Sequence, residues 1–455
     1  MSHFEQTAVT ILMDDPSVCT IERNGEGDMV VVQGPNDRLV ARLRARDVLG
    51  ADGEGSTLTI HTFKEPTDWW HGIMCCPPTT KVLSTVRVQL ASPELCSHWQ
   101  RELAAPAAAR GDFLVIVNPV SGTCKGKAIV KEQVEPLLAA AKINFTTLIT
   151  SRANEATEYV RALETLSAVD TILCVGGDGT LFEVIQGIRE RSDASQILSR
   201  VKLMPIPAGT GNGLCKSITY DVGEECSGST CTLLSITGKP QPLDLTEVQS
   251  ERKSESMYAF LLLGWGLVAD VDILSETMRY LGEMRLHIAA VYYIIRKRLY
   301  SGKLTIIPHT AGSAPLSSDI ALPPFKGPFE LYGCEPSEVV SEGPFCLVWV
   351  VQTSHCTEHM HSGPECKLGS GLFTVYWVEA VSRCEMLSLL LLIDTGGHND
   401  HPKVHSRRAV AYRIEPSSDV TVDESNGGFY TLDGEVIPHG DIQGVIRPGG
   451  CTVMR

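Results

Sequence analysis

Residues 171–183 read TILCVGGDGTLFE, and the fold turns on them. The apolar run from Ile172 to Val175 predicts a buried strand, and the apolar-periodic segment from Leu181 predicts a helix. Between them stand Gly176, Gly177, Asp178 and Gly179. Strand, glycine loop and helix in that order suit phosphate binding. Glycines let the backbone approach the ligand, and the helix N-terminus offers unpaired N–H groups at its positive dipole end. An acid at the centre of such a loop would repel phosphate. Asp178 is better suited to handling a proton or a metal-bound water. The plain structural alternative is a tight turn in which Gly and Asp supply positive φ.

The alternation continues on both sides. Residues 113–117 form an apolar run, followed by Asn118, Pro119, Val120, Ser121 and Gly122, then the basic loop Lys125-Gly126-Lys127 and a helix to about residue 141. A strand over 144–149 and a helix over 154–166 come next. After the GGDG unit, a strand over 201–206 ends in Pro207-Ala208-Gly209-Thr210-Gly211-Asn212-Gly213. Residues 111–240 therefore read as an α/β domain, a parallel sheet with helices on both faces. Ligands of such sheets sit at the carboxyl ends of the strands, so three glycine-bearing loops converge on one edge. Two common nucleotide motifs are absent. Lys216-Ser217 follows Cys215 rather than Gly, and the glycines of 209–213 have the wrong spacing for GxGxxG.

The flanking regions differ. Residues 1–104 carry short β-rich runs at 8–12, 29–32, 38–43, 57–63 and 82–90, then a segment in which Leu95, Trp99 and Leu103 share a helical face. This is a small β-rich domain; it resembles a pleckstrin-homology-type module, with a generic β-domain as the alternative. Residues 104–110 read as a linker. Over 241–455 strands dominate, at 258–263, 304–307, 345–351, 372–378, 410–414 and 428–432, with helices at 278–299 and 383–393. That predicts an antiparallel, β-sandwich-like domain. Residues 308–344, rich in Pro, Ser, Gly and acids, read as a mobile insertion.

At 455 residues the chain is long enough for two or three domains. A net charge of −15 argues against nucleic-acid binding, which needs a basic stripe. The start, MSHFEQTAVT, lacks a secretory pattern, so the 15 scattered cysteines are expected to be free thiols of a reducing compartment, and the sequon at Asn144 to be idle. The longest apolar run, 386–393, is far short of a membrane span.

With Asn118-Pro119, GGDGT and Pro207 to Asn212 in that order, the chain resembles the diacylglycerol kinase catalytic superfamily. Residues 264–272 (GWGLVADVD), Ser275-Glu276 and 281–285 (LGEMR) are similar to the sphingosine kinase signature, and 432–435 (LDGE) to a terminal motif that family shares. The resemblance covers roughly 111–307 and 345–447. It implies ATP-dependent phosphorylation of the primary hydroxyl of a sphingoid base, with nucleotide on the first domain and lipid on the second.

The resemblance also implies roles. Asp178 would accept the hydroxyl proton, within the substrate-side loop Gly176, Gly177, Asp178 and Gly179. Nucleotide contacts would come from Asn118, Pro119 and Val120, from Thr150, Ser151, Arg152, Ala153 and Asn154, and from Glu183, Gly209, Thr210, Gly211, Arg279, Arg285, Asp433, Gly434 and Glu435. Arg279 and Arg285 are six apart, so serving one phosphate group requires a bend or helix end near Gly282. Mg²⁺ is required to screen the ATP charge, with no dedicated cage evident. Asp433 is placed either to hold a metal-bound water or to make a hairpin turn. Asp272, rather than Asp270, would pair with the substrate ammonium and reject neutral lipids. The family often has Ser three residues before the motif Trp; this chain has Leu262, which leaves the preferred base open. The hydrocarbon chain would lie among residues 261–263, 286–295 and 386–393, which otherwise read as core.

Two further patterns are weaker. His355, Cys356, His359, His361 and Cys366 fit no common zinc spacing. Residues 285–303 are apolar and then basic, a pattern that can bind calmodulin or acidic membrane, or simply pack its apolar half. The rival functions are a ceramide or diacylglycerol kinase, an NAD kinase, and a catalytically inactive lipid-binding scaffold. An enzyme acting on a lipid must visit membranes, so the expected location is cytoplasmic with peripheral membrane association.

Overall fold

The computed structural model describes residues 9–11, 19–23, 29–33, 39–64, 82–108, 110–278, 281, 284–310, 316, 320–417 and 428–455. Strands Phe113–Val117 and Thr171–Gly176 are buried along their whole length, as continuous apolar runs covered on both faces should be. Four strands pair in parallel: Phe145–Ile149 beside Phe113–Val117, then Thr171–Gly176, then Lys202–Pro207. In chain order this is 2-1-3-4. The switch point therefore falls between the first and third strands, where a crevice opens at their carboxyl ends. Asn118 and Gly177 stand at those ends. The helix after the first strand is α over Gly126–Ile129, π over Val130–Val134 and α over Glu135–Ala140. Pro136, which has no N–H to give, accounts for the irregular turn.

The second half is antiparallel. Leu262–Gly266, Phe345–Val351, Phe373–Glu379, His405–Pro416 and Ile442–Met454 follow one another across the sheet. The last strand serves both halves. One edge pairs with Pro240–Ser250 from Met454 to Ile442. The other pairs first with Ala411–Ile414, then, in parallel, with Lys202 and Leu203. The two sheets are thereby one.

Four sequence expectations need correction. The strand expected over 258–263 is two, Lys253–Ala259 and Leu262–Gly266, broken where the Asp433 carboxylate takes backbone N–H groups. The helix expected over 278–299 is Met284–Arg296, preceded by a separate helix Leu267–Glu276. The linker expected over 104–110 is largely helix, since Pro93–Ala108 is one element. The stretch 308–344, expected as a mobile insertion, is packed over much of its length. Phe329 and Leu331 are buried, and Glu338–Ser341 pairs with Gly302–Pro308. The buried Arg413 guanidinium donates to the carbonyls of Pro324 (3.0 Å), Phe325 (3.2 Å) and Gly327 (2.8 Å). One distant cation thus gathers three carbonyls of a coil whose composition predicts no packing.

The N-terminal region has a four-stranded sheet, a three-stranded sheet and the helix Pro93–Ala108, which buries Cys96 and Leu103 and packs Leu95 and Trp99 against their core. It rests on the parallel-sheet half through Arg44 and Arg46 to Glu224, and through the Thr237 hydroxyl, which donates to the Arg46 carbonyl (2.7 Å).

Candidate active site

The three predicted loops meet. The Gly177 N–H donates to Ser121 Oγ (2.9 Å), and the Ala208 N–H to the Gly176 carbonyl (2.9 Å). A Cβ on Gly209 would lie 2.3 Å from Gly177 Cα, and one on Gly122, at φ +52°, 2.7 Å from the Ala208 carbonyl oxygen. Backbone is pressed on backbone, which only glycine permits. Asn212, left-handed at φ 56°, closes the third loop: its Oδ1 accepts from the Gly209 N–H (2.9 Å) and its Nδ2 donates to the Gly209 carbonyl (3.0 Å).

Asp178 begins helix Asp178–Arg189 but does not cap it. Its carboxylate reaches the next helix, Gly213–Asp221, accepting from Gly213 N–H (2.9 Å) and Leu214 N–H (3.2 Å). Burial pushes its pKa up, and these backbone donors oppose the shift. Glu183, one turn on, is used similarly: it accepts from Ala156 N–H (3.3 Å) at the start of Glu155–Ala162, and burial raises its pKa too.

Both acids line a cavity of about 410 Å³. Asn118, Val120, Gly177, Gly179, Thr210, Gly211, Gly434 and Glu435 share its polar end. Asp272 and Arg285 also face it, and Leu261, Leu262, Leu286, Ala290, Met386, Leu389, Leu390 and Ile393 give it apolar walls. All three segments expected to hold a hydrocarbon chain contribute. The Asp272 pKa is raised to about 6, first by burial and then by Glu276, with Arg285 opposing. Arg285 Nη1 lies 2.7 Å from Glu276 Oε1, while its buried Nε has no hydrogen-bond partner among the described residues. Asp270 is engaged elsewhere, accepting from the Tyr300 hydroxyl and from Arg298 (3.1 Å).

Other predicted residues are placed differently. Thr150, Ser151, Arg152, Ala153 and Asn154 do not line the cavity. Thr150 bonds back to the Val117 carbonyl, Arg152 pairs with Glu158 at the surface, and Asn154 starts the helix that Glu183 caps. Pro119, Gly176 and Gly209 also lie off its wall. Arg279 and Gly282 fall outside the described residues. Asp433 faces the cavity, but its carboxylate accepts from Phe260 (2.8 Å), Leu261 (3.0 Å) and Leu262 (2.9 Å), leaving little room for a metal-bound water. Trp265 is core, stacked on Tyr430 at 6.0 Å.

The loop bearing His355, Cys356, His359 and His361, whose spacing fits no common zinc site, forms part of the wall. Cys356, Thr357 and Met360 line the cavity. Glu358 N–H donates to the Gly211 carbonyl (2.7 Å), and His355 N–H to Ser217 Oγ (3.0 Å). Both Asp178 and Asp272 act electrostatically on the Cys356 thiol, whose pKa burial pushes up to about 12. Cys356 therefore lies on the wall near both acids. His355 and His361 stack in parallel at 4.6 Å and both meet Tyr220, an aromatic pile. Among the described residues no three His, Cys, Asp or Glu side chains converge as a metal site. The loop is held through backbone atoms, so its sequence carries no mark of the contact.

Known proteins share this architecture. Residues 112–248 match the diacylglycerol kinase catalytic domain, and 335–455 the YegS C-terminal NAD kinase beta sandwich-like domain. A solved structure described as a diacylglycerol kinase of Bacillus anthracis superposes with a TM-score of 0.53 at 21% identity, over 76% of this chain and 95% of that one, which speaks for the fold. Sphingosine kinase 1 of Rattus norvegicus is 32% identical over 352 residues, 74% of this chain and 88% of that protein. Sphingosine kinase 1 of Arabidopsis thaliana is 31% identical over 341 residues, 72% and 69% respectively. The loops, the paired acids and these relatives agree: the chain belongs to the sphingosine kinase family.

Proposed function

We propose that this lipid kinase transfers the γ-phosphoryl group of ATP to the primary hydroxyl of a sphingoid base, giving the base 1-phosphate. The observation that carries the reading is the placement of Asp178 and Asp272 on one cavity that is polar at the glycine loops and apolar beyond. A sphingoid base matches that layout: hydroxyl and ammonium close together, then a long hydrocarbon chain. Asp272 pairs with the ammonium. The hydroxyl oxygen attacks the γ-phosphorus, the bond to the β–γ bridging oxygen breaks, and the hydroxyl proton passes to Asp178. Arg285 offers its unpartnered Nε to the phosphates. Mg²⁺ would enter with ATP and screen the phosphate charge, and Glu183 and Glu435, two carboxylates on the cavity wall, would be the acids to hold it.

With labelled ATP and Mg²⁺, label is expected on sphingosine and not on ceramide, diacylglycerol or NAD. Label on a neutral lipid instead would overturn the ammonium pairing. Label on none, with ATP still bound, would favour the scaffold reading.

No helix among the described residues is long and apolar enough to cross a membrane. Peripheral contact from the cytoplasm has a surface to use. Helix Met284–Arg296 buries Ala289, Ala290 and Ile294 but exposes Met284, Ile288, Val291, Tyr292 and Ile295, beside the exposed Leu387 and Leu391 of Arg383–Ile393. Such a patch at the lipid cavity suits a bilayer. Calmodulin is less favoured, because wrapping the helix would extract Arg285 from the site. Ile295→Glu with Leu391→Glu is expected to abolish sedimentation with anionic vesicles while leaving turnover of detergent-dispersed base near that of the parent. Unchanged sedimentation would remove the patch from membrane binding.

A further inference from the structure

Ser217 lies one turn into helix Gly213–Asp221, buried and off the cavity wall. A hydroxyl has one proton to give and two lone pairs. Ser217 Oγ accepts from the His355 N–H (3.0 Å) and donates to the Gly213 carbonyl (2.9 Å). The His355 carbonyl is farther, at 3.3 Å, and already takes the Thr353 hydroxyl (3.1 Å). Bonding back four residues is a common habit of Ser in helices. The bond from His355 is not local. It crosses 138 residues, to the segment that carries Cys356, Thr357 and Met360 into the cavity wall.

The Gly213 carbonyl and the Leu214 N–H belong to one planar peptide group. That N–H donates to Asp178 Oδ1 (3.2 Å). The peptide plane is therefore gripped at both ends, its oxygen by Ser217 and its N–H by Asp178. Traced from the wall, the His355 N–H, the Ser217 hydroxyl, the 213–214 peptide and the Asp178 carboxylate form one chain, every donor pointing the same way. Bonds in such a chain polarise and strengthen one another. Main chain also meets main chain here. A Cβ on Gly213 would lie 2.6 Å from the Cys356 carbonyl oxygen, so no gap separates wall and helix at that point.

We propose that Ser217 is a positioning residue for Asp178, the middle link of a hydrogen-bonded chain that ties the wall of the lipid cavity to the base. Its effect on turnover rests on the kinase reading. A base must stand within hydrogen-bond reach of the proton it takes. A misplacement of about 1 Å can cost about 10²-fold in rate. With the wall and the base tied through one hydroxyl, the groups on either side of the substrate keep a fixed separation.

The test compares Ser217→Ala with the full-length parent in steady-state kinetics on sphingosine and in amide hydrogen exchange. The substitution removes both bonds of the hydroxyl. It is expected to lower kcat by about 10–100-fold with KM for ATP unchanged, and to speed exchange at Gly213 and Leu214 as well as at His355. On the Asp178→Asn background the same substitution should cost no more than about twofold, because the group it positions is already gone. A fully additive loss, or faster exchange at His355 alone, overturns the proposal, since a role in packing would give either. A kcat within about twofold of the parent overturns it too. Should Ser217→Ala fold poorly, Ser217→Cys decides. It is close in size but a weaker donor and acceptor, so kcat should fall in the same sense, and parent-like turnover in that folded variant overturns the proposal. If the parent phosphorylates no lipid, the fault lies with the kinase reading, and the chain is judged on exchange at Gly213 and Leu214.

Discussion

Asp178→Asn is expected to lower kcat by about 10²–10⁴-fold, the usual contribution of a general base. ATP affinity, read by calorimetry, should change little, because the phosphate side of the cleft is built from backbone and from Arg285. Asn matches Asp in size but not in donors. Its carbonyl can accept from Gly213 or Leu214, while its NH₂ opposes the other N–H, so a modest loss of stability of about 1–3 kcal/mol accompanies the kinetic effect. A thermal melt alongside the rate assay separates the two. Turnover within a few-fold of the parent would remove Asp178 as the base and leave it as a cap for the next helix.

Asp272→Asn should act on the other substrate. KM for the base is expected to rise by about 30-fold or more, the equivalent of about 2 kcal/mol or more for truncating one partner of a buried charge pair, with KM for ATP unchanged. The parent should show a KM for the base that climbs as pH falls through about 6, where Asp272 takes up a proton, and the variant should lose that dependence. Stability should move the opposite way. A carboxylate whose folded pKa is raised favours folding most below its unfolded pKa and loses that contribution as pH rises through the folded value. At pH 8 the charged Asp272 is therefore a burden of up to about 3 kcal/mol, and the variant should melt higher than the parent. A flat pH profile in the parent, or an unchanged lipid KM in the variant, would sink the anchoring role.

Local chemistry made the central features legible. Continuous apolar runs marked the parallel strands, and the glycines that let three loops touch stood out from sequence alone. Asp272 could be preferred over Asp270 by motif position, and the structure supplies a physical reason: Asp270 is occupied by Tyr300 and Arg298. What stayed hidden depends on partners far away in the chain. The break after Ala259 comes from Asp433, the carbonyls of Pro324, Phe325 and Gly327 are gathered by Arg413, and the Cys356 wall is fastened to Gly211 through main-chain atoms. None of these has a periodicity to read. Thr150 to Asn154 show the converse, since matching a motif did not bring them to the cavity wall.

The shared last strand has a consequence for how the protein is made. Lys202 and Leu203 pair on one side with Thr171 and Ile172, but on the outer edge of the nucleotide-binding sheet they pair with Thr452 and Val453, close to the far end of the sequence. During synthesis domains ordinarily fold as they emerge, the earlier ones first. Here residues 113–207 leave the ribosome with an apolar edge open, and it stays open until almost the whole chain has followed. The catalytic half cannot finish ahead of the lipid-binding half. Loss of strand Ile442–Met454 would therefore disturb the ATP site, although the three glycine loops of that site all lie in the first half of the sequence.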